Sequence, residues 1–201
     1  MFDDFPGLRE AMSSFLRVFR VDVADLCAIR GSRDERILAG LESILGSDWP
    51  ELDDDGHLSP LIAGRQIVMG EELDEDQGDS YRVAFAAMPE VIGVVLYEES
   101  YVRFVSLVRQ ADRALRVAGM KRPLRLDALF FGGSPLPLPE PSSADTCMGF
   151  ATHADVARAY AVSQTLTVST NDHDVAALVA DVGSWLKAAF EANQGLVGVL
   201  T

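Results

Sequence analysis

The sequence predicts a helix-rich α+β fold, a single globular domain over residues 1–201 with about six to eight helices and a small sheet. Three observations carry this expectation. Apolar residues recur at helical spacing in several capped segments. The stretches with strand character are only four to seven residues long, too short for a doubly wound sheet. The chain has no internal repeat and no flexible linker that would divide it, and at 201 residues it can bury roughly 70% of its unfolded surface.

Residues 1–14 read as an N-terminal extension. "FLRVFRV" (15–21) alternates as a strand, with Phe15, Arg17, Phe19 and Val21 on one side. Asp22 caps the short helix "VADLCAI", and Gly31 ends it. "SRDE" (Ser32 to Glu35) has capping-box spacing and opens a helix with the stripe Ile37, Leu38, Leu41, Ile44 and Leu45, stopped by Gly46. "SDWPELDDDGH" (47–57) is a polar loop. Ser59 and Pro60 start a helix to about Met69, because proline at the first helical position gives up only an unused N–H. Gly70 ends it and an acidic loop follows. Asp79 or Ser80 caps the next helix, with Tyr81, Ala84, Phe85 and Met88 inward, and Pro89 kinks or restarts it.

The longest periodic stretch runs from about Ser100 to Ala118. Its apolar face is Phe104, Leu107, Val108, Ala111, Leu115 and Ala118, and Arg109, Arg113 and Arg116 project from nearly the opposite side. "LRLDALFF" reads as a short strand or turn. "GGSPLPLPEP" (132–141) is a stiff extended connector within the domain. "CMGFA" reads as a strand, "THAD" as a second capping box, and the helix behind it continues to about Val162. "LTVS" reads as a further strand. Asn171 or Asp172 starts the last helix, whose stripe includes Val175, Leu178, Val182 and Leu186, and Gly195 ends it before an apolar tail.

Hydrophobic residues make up 48% and charged residues 24%, the balance of an ordinary globular chain. No apolar run approaches the ~18 residues of a membrane span. "MFDDFPGLRE" lacks the basic start of a signal peptide, and Cys27 and Cys147 stand apart as reduced thiols, so the expected location is cytoplasmic. The net charge of −14 speaks against nucleic-acid binding, which relies on Lys and Arg neutralising phosphates. The charge is unevenly spread: residues 48–79 hold eleven acids and one base, and residues 103–125 hold seven bases and one acid.

Motifs for chemistry are sparse. "ELDDDGHLSPLI" begins like a calcium loop, but its twelfth position is Ile62 and Pro60 interrupts the exiting helix, so no metal site is expected. His57, His153 and His173 have no metal-ligand spacing. Cys147 with His153 is the single nucleophile-and-base pair available, and a buried structural thiol is the competing reading of Cys147. No phosphate-binding loop or nucleophile elbow occurs, and no cofactor is expected. That leaves Glu71, Glu72, Asp74, Glu75, Asp76 and Asp79, with Asp53, Asp54 and Asp55 upstream, as a partner-binding acidic surface. Arg109, Arg113 and Arg116 form a second charged face. Solvation, or pairing of the two zones with each other, is the simpler alternative.

The segments "VDVADLCAIRGSRDERIL", "IVMGEELDEDQGDSYRVAF", "LFFGGSPLPLPEP" followed by "MGFATHADV", and "WLKAAFEANQGLV" occur in order over about residues 18–198. With these the chain resembles a group of uncharacterised bacterial proteins of a domain-of-unknown-function family, distantly similar to the YfbM-like family. "PSSADTC" and the tail "VGVLT" depart from that pattern. The resemblance implies a compact α+β domain, and that Gly70 and Glu71 belong to a recurring element; it carries over no catalytic residues. The expected function is a non-enzymatic bacterial binding protein, toxin-neutralising (immunity-type) or regulatory, whose partner is a toxin or effector with a basic surface. The alternatives are an enzyme with a Cys147/His153 site and a self-associating structural component.

Overall fold

Strand β1 (Ser13–Val21) divides its side chains between two cores. Leu16 and Val18 face one, Phe19 and Val21 face the other, and all four are buried. Only a strand covered on both faces buries both sets. The computed structural model describes residues 13–46, 52, 56–102, 104–120, 124–143 and 145–201. The N-terminal extension therefore lies almost wholly outside the described residues.

Among these residues eight α-helices flank a four-stranded sheet of order β2-β1-β4-β3, paired antiparallel throughout. The partners of β1 are β2 (Val94–Val102) and β4 (Gly195–Leu200), and β3 (Cys147–Ala151) closes the far edge. In β4, Leu196 and Leu200 join one core while Val197 and Val199 join the other.

The helices are sorted by chain order. α1 (Val23–Ala28), α2 (Glu35–Leu45), α3 (Pro60–Met69) and α4 (Gly78–Ile92) pack with Phe19 and Val21. α5 (Phe104–Ala118), α6 (Leu126–Phe131), α7 (His153–Ser163) and α8 (His173–Glu191) pack with Leu16 and Val18. The edge strand β2 separates the two sets in sequence, and three layers result.

One close approach fixes α6 on the sheet. Gly149 and Gly198 are cross-strand partners under this helix. A Cβ at Gly149 would sit 2.0 Å from the Ala128 carbonyl oxygen, and one at Gly198 would sit 2.5 Å from Cδ1 of Phe130. Glycine on both strands lets helix backbone rest on sheet backbone.

Most caps fall where the sequence places them, including Asp22, Ser59, Asp172 and the reciprocal Thr152–Asp155 capping box. Several expectations need correction. The cap of α2 is Asp34, whose carboxylate accepts from the Arg36 amide at 2.8 Å; Arg33 adopts φ 55° and delays the helix past Ser32. Residues 100–102 extend β2 instead of starting α5, since an exposed edge strand dilutes the alternation that would announce it. "LDALFF" is helix α6, "LTVS" is not a strand, and the apolar tail is the inner strand β4. Pro89 lies in the last turn of α4, which runs on to Ile92 without a restart.

Candidate functional site

The acidic segment is built on hydrogen bonds rather than left as a free loop. Gly70 takes φ 74° at the end of α3, and the Glu71 amide returns to the Gln66 carbonyl at 3.0 Å. Asp74 then caps a 3-10 turn, Glu75–Gln77, by accepting from the Asp76 amide at 3.0 Å. Tyr81, fully buried, donates from its hydroxyl to Gln66 Oε1 at 2.5 Å and accepts from the Asp74 amide at 3.1 Å. Gln77 Oε1 accepts from the Leu58 amide at 2.7 Å, and the Ser80 hydroxyl donates to the Leu58 carbonyl at 2.6 Å.

This scaffold sorts the acids. Glu71, Glu72, Glu75 and Asp76 are exposed and make no ion pair among the described residues. Asp74 is occupied as a cap. Asp79 is not the cap of α4, since Gln77 holds that position. Its carboxylate instead accepts from the amides and hydroxyls of Ser142 and Ser143, at the end of the proline connector. Burial alone would raise the Asp79 pKa, but these four donors outweigh it and hold the carboxyl below its ordinary value. Asp53, Asp54 and Asp55 lie outside the described residues.

On α5, Phe104, Val108, Ala111 and Leu115 are buried in the core that includes α6 and α8, and Arg109, Arg113 and Arg116 are exposed on the other side of the helix. Between Val108 and Leu115 sits a carboxylate: Asp112 is only 4% exposed. One of its oxygens pairs with Arg116 Nε at 3.0 Å, and the other accepts from the Leu126 amide at 3.1 Å, which ties α5 to the start of α6. Burial pushes the Asp112 carboxyl above its ordinary value; the Leu126 amide opposes that and nearby Asp127 adds to it. Arg125 forms a two-point fork onto Asp127, with Nε at 3.0 Å from Oδ1. These groups line a surface cleft of about 430 Å³.

The acidic segment belongs to the α1–α4 layer and the arginines to the outer side of the α5–α8 layer, with the sheet between them. Among the described residues no ion pair joins Glu71, Glu72, Glu75 or Asp76 to Arg113 or Arg116. The sequence reading missed Asp112, Arg125 and Asp127. Asp112 is a legible signal, a charged residue set into an apolar stripe; Arg125 and Asp127 are hidden when their segment is read as a short strand or turn.

Cys147 and His153 are not brought together as a pair. Cys147 opens β3 opposite Leu200, and Ala151 closes it opposite Leu196, a rise of about 13 Å before α7 begins at His153. Burial pushes the Cys147 thiol up, away from thiolate character. His153 stacks on Phe190 with ring centres 6.5 Å apart. Among the described residues no group of three His, Cys, Asp or Glu is placed to hold a metal ion, and no helix is long and apolar enough to cross a membrane.

Residues 12–201 match a family described as a domain of unknown function (DUF7691). No curated protein and no solved structure matches the chain.

Proposed function

The chain belongs to the DUF7691 domain family, and we propose that it is a non-enzymatic binding protein that captures a protein partner with a basic surface on its acidic segment. The observation that carries this reading is the presentation of Glu71, Glu72, Glu75 and Asp76. They stand exposed on a hydrogen-bonded scaffold, with the sheet between them and the arginine cleft. Glu71 and Glu72 also follow the C-terminus of α3, where negative charge costs about 0.3–1 kcal/mol each at an exposed site. Acids held in a destabilising place, with no ion pair among the described residues, suit steering and capture of a basic surface within the ~8 Å screening length.

A toxin-neutralising (immunity-type) or regulatory role is the form of this proposal, and a bacterial source, a cytoplasmic location and distant kinship with the YfbM-like family belong to it. The enzyme alternative draws no support from the separation of Cys147 and His153.

The test is a combined Glu71→Lys, Glu72→Lys, Glu75→Lys and Asp76→Lys variant, with Asp74 and Asp79 kept because they hold the scaffold. The wild type should retain a basic protein partner in stoichiometric amount from its host, in a salt-sensitive manner. The variant should lose that partner while melting within a few degrees of the wild type. Retention of the same partner by the reversed variant rules the reading out.

A further inference from the structure

The two edge strands of the sheet, β2 and β3, each have one side unpaired among the described residues, and they are unlike. β3 is five residues long and four of them are buried. β2 is nine residues long, none of residues 94–101 is buried, and Val94 and Val95 are each 45% exposed. A long open edge offers a row of backbone N–H and C=O groups to any chain that can lie beside it.

The side chains of β2 decide what can lie there. Glu98 and Glu99 stand exposed at the middle of the strand, which carries no base. Among the described residues neither makes an ion pair. Arg17, across from Glu98 in the register with β1, bonds to Glu90 instead. Glu99 shares one sheet face with Tyr97 and Tyr101, two residues to either side. The Tyr97 hydroxyl donates to Glu99 Oε2 at 2.5 Å and is also hydrogen-bonded to the Tyr101 hydroxyl. Asp181, on α8, interacts with the same Tyr97 hydroxyl, and a phenol has one proton for the two carboxylates. Burial first, and the charge of Glu99 second, push the Asp181 carboxyl above its ordinary value. Two acids thus come together beside two stacked tyrosine rings, 6.4 Å between centres, a setting that favours a cation.

A second copy of this chain does not suit the edge. Two β2 strands overlapped fully and antiparallel would set Glu98 opposite Glu98, and like charges directly opposite destabilise a sheet. A basic strand meets the reverse situation. We propose that the open edge of β2 docks an extended segment of another protein carrying two adjacent basic residues, which adds as a fifth strand through main-chain hydrogen bonds. One base lies opposite Glu99 and reaches Asp181 and the tyrosines; its neighbour, on the other face, lies opposite Glu98. Valine or threonine beside them suits the exposed Val94 and Val95. The acidic segment precedes α4 and β2 follows its far end, a helix of about 22 Å, so this edge is a separate surface and does not rest on the function proposed for that segment.

The probe is a fluorescein-labelled peptide as long as β2, with two central lysines flanked by valine and threonine, titrated into the full chain. Saturable binding is expected, with NMR amide shifts and slowed hydrogen exchange at alternate residues of β2. The same peptide with N-methyl groups on the amides that face β2 keeps every charge and should bind at least tenfold more weakly, since several main-chain hydrogen bonds are lost. Glu98→Gln with Glu99→Gln should weaken binding about fivefold. Asp25→Asn with Glu35→Gln removes two exposed acids from α1 and α2 and should bind as the wild type does. Equal binding of the N-methylated peptide would reduce the effect to general electrostatics and overturn the proposal. Shifts confined to residues 71–76 would overturn it too, because the peptide would then sit on the acidic segment. So would a dimer of the free chain that protects the β2 amides, which would give the edge to a second copy.

Discussion

Asp79 Oδ1 accepts two hydrogen bonds from Ser143, one from its amide and one from its hydroxyl, each 3.0 Å long. Ser142 supplies two more to the other oxygen, so one carboxylate ties the start of α4 to the end of the proline connector across more than sixty residues of chain. An acid that reads in sequence as part of a partner surface is in fact a structural clamp.

Removing that clamp should be costly and pH-dependent. Asp79→Ala should lose about 2 kcal/mol in urea denaturation at pH 7, the order expected for hydrogen bonds to a charged acceptor. The folded carboxyl sits below its ordinary value, so its contribution is present above the unfolded value of about 3.9 and is lost as pH falls through the folded value. The gap between wild type and Asp79→Asn should therefore narrow from about pH 5 downward.

Asp112 should behave with the opposite sign. Its folded carboxyl is raised, so its contribution is greatest below the ordinary value and declines as pH rises through the folded one. Asp112→Asn keeps an acceptor for the Leu126 amide and removes a buried charge, and should cost less than about 1 kcal/mol at pH 7. Asp112→Leu leaves that amide unpaired and should cost about 1–3 kcal/mol. Urea midpoints of the two variants, measured side by side, check the contrast.

Two glycines should respond in opposite directions to the same substitution. Gly149→Ala drives a methyl into the Ala128 carbonyl, which is helix backbone and cannot swing aside, and should cost about 3 kcal/mol, the upper end of ordinary overpacking. Gly183→Ala, inside α8 with nothing within 4 Å of the new Cβ apart from its chain neighbours and its own helix backbone, should stabilise by about 0.5–1 kcal/mol. Thermal melts that rank the two the other way would contradict the packing of α6 on β3 and β4.

The thiols should differ in accessibility. Cys147 is buried with its pKa raised, whereas Cys27 is half-buried beside the Pro135 carbonyl. Alkylation of the native protein followed by peptide mass spectrometry should modify Cys27 first and leave Cys147 intact until denaturant is added. Rapid modification of Cys147 at pH 6 would restore it as a candidate nucleophile.

How much of this was legible beforehand depended on the range of the signal. Asp22, Ser59, Thr152 and Asp172 act on amides two or three residues away, so their helix starts could be read directly. The apolar side of α5 was equally plain. By contrast β4 looked like a tail, because the strands that pair with its two edges, β1 and β3, lie far off in sequence. Asp79 misled for the same reason: its partners are Ser142 and Ser143, and no local pattern points to them.

The helix-rich α+β class, most of the helix ends and two zones of opposite charge follow from composition, caps and periodicity, which act over a few residues. Long-range packing makes β2 and β4 strands, rests α6 on a pair of glycines, and sets the acidic segment and the arginines of α5 on opposite layers. Pairing partners and layer assignment are set by which distant surfaces bury one another. Within one molecule the sheet stands between the described acids of the segment and the arginines of α5.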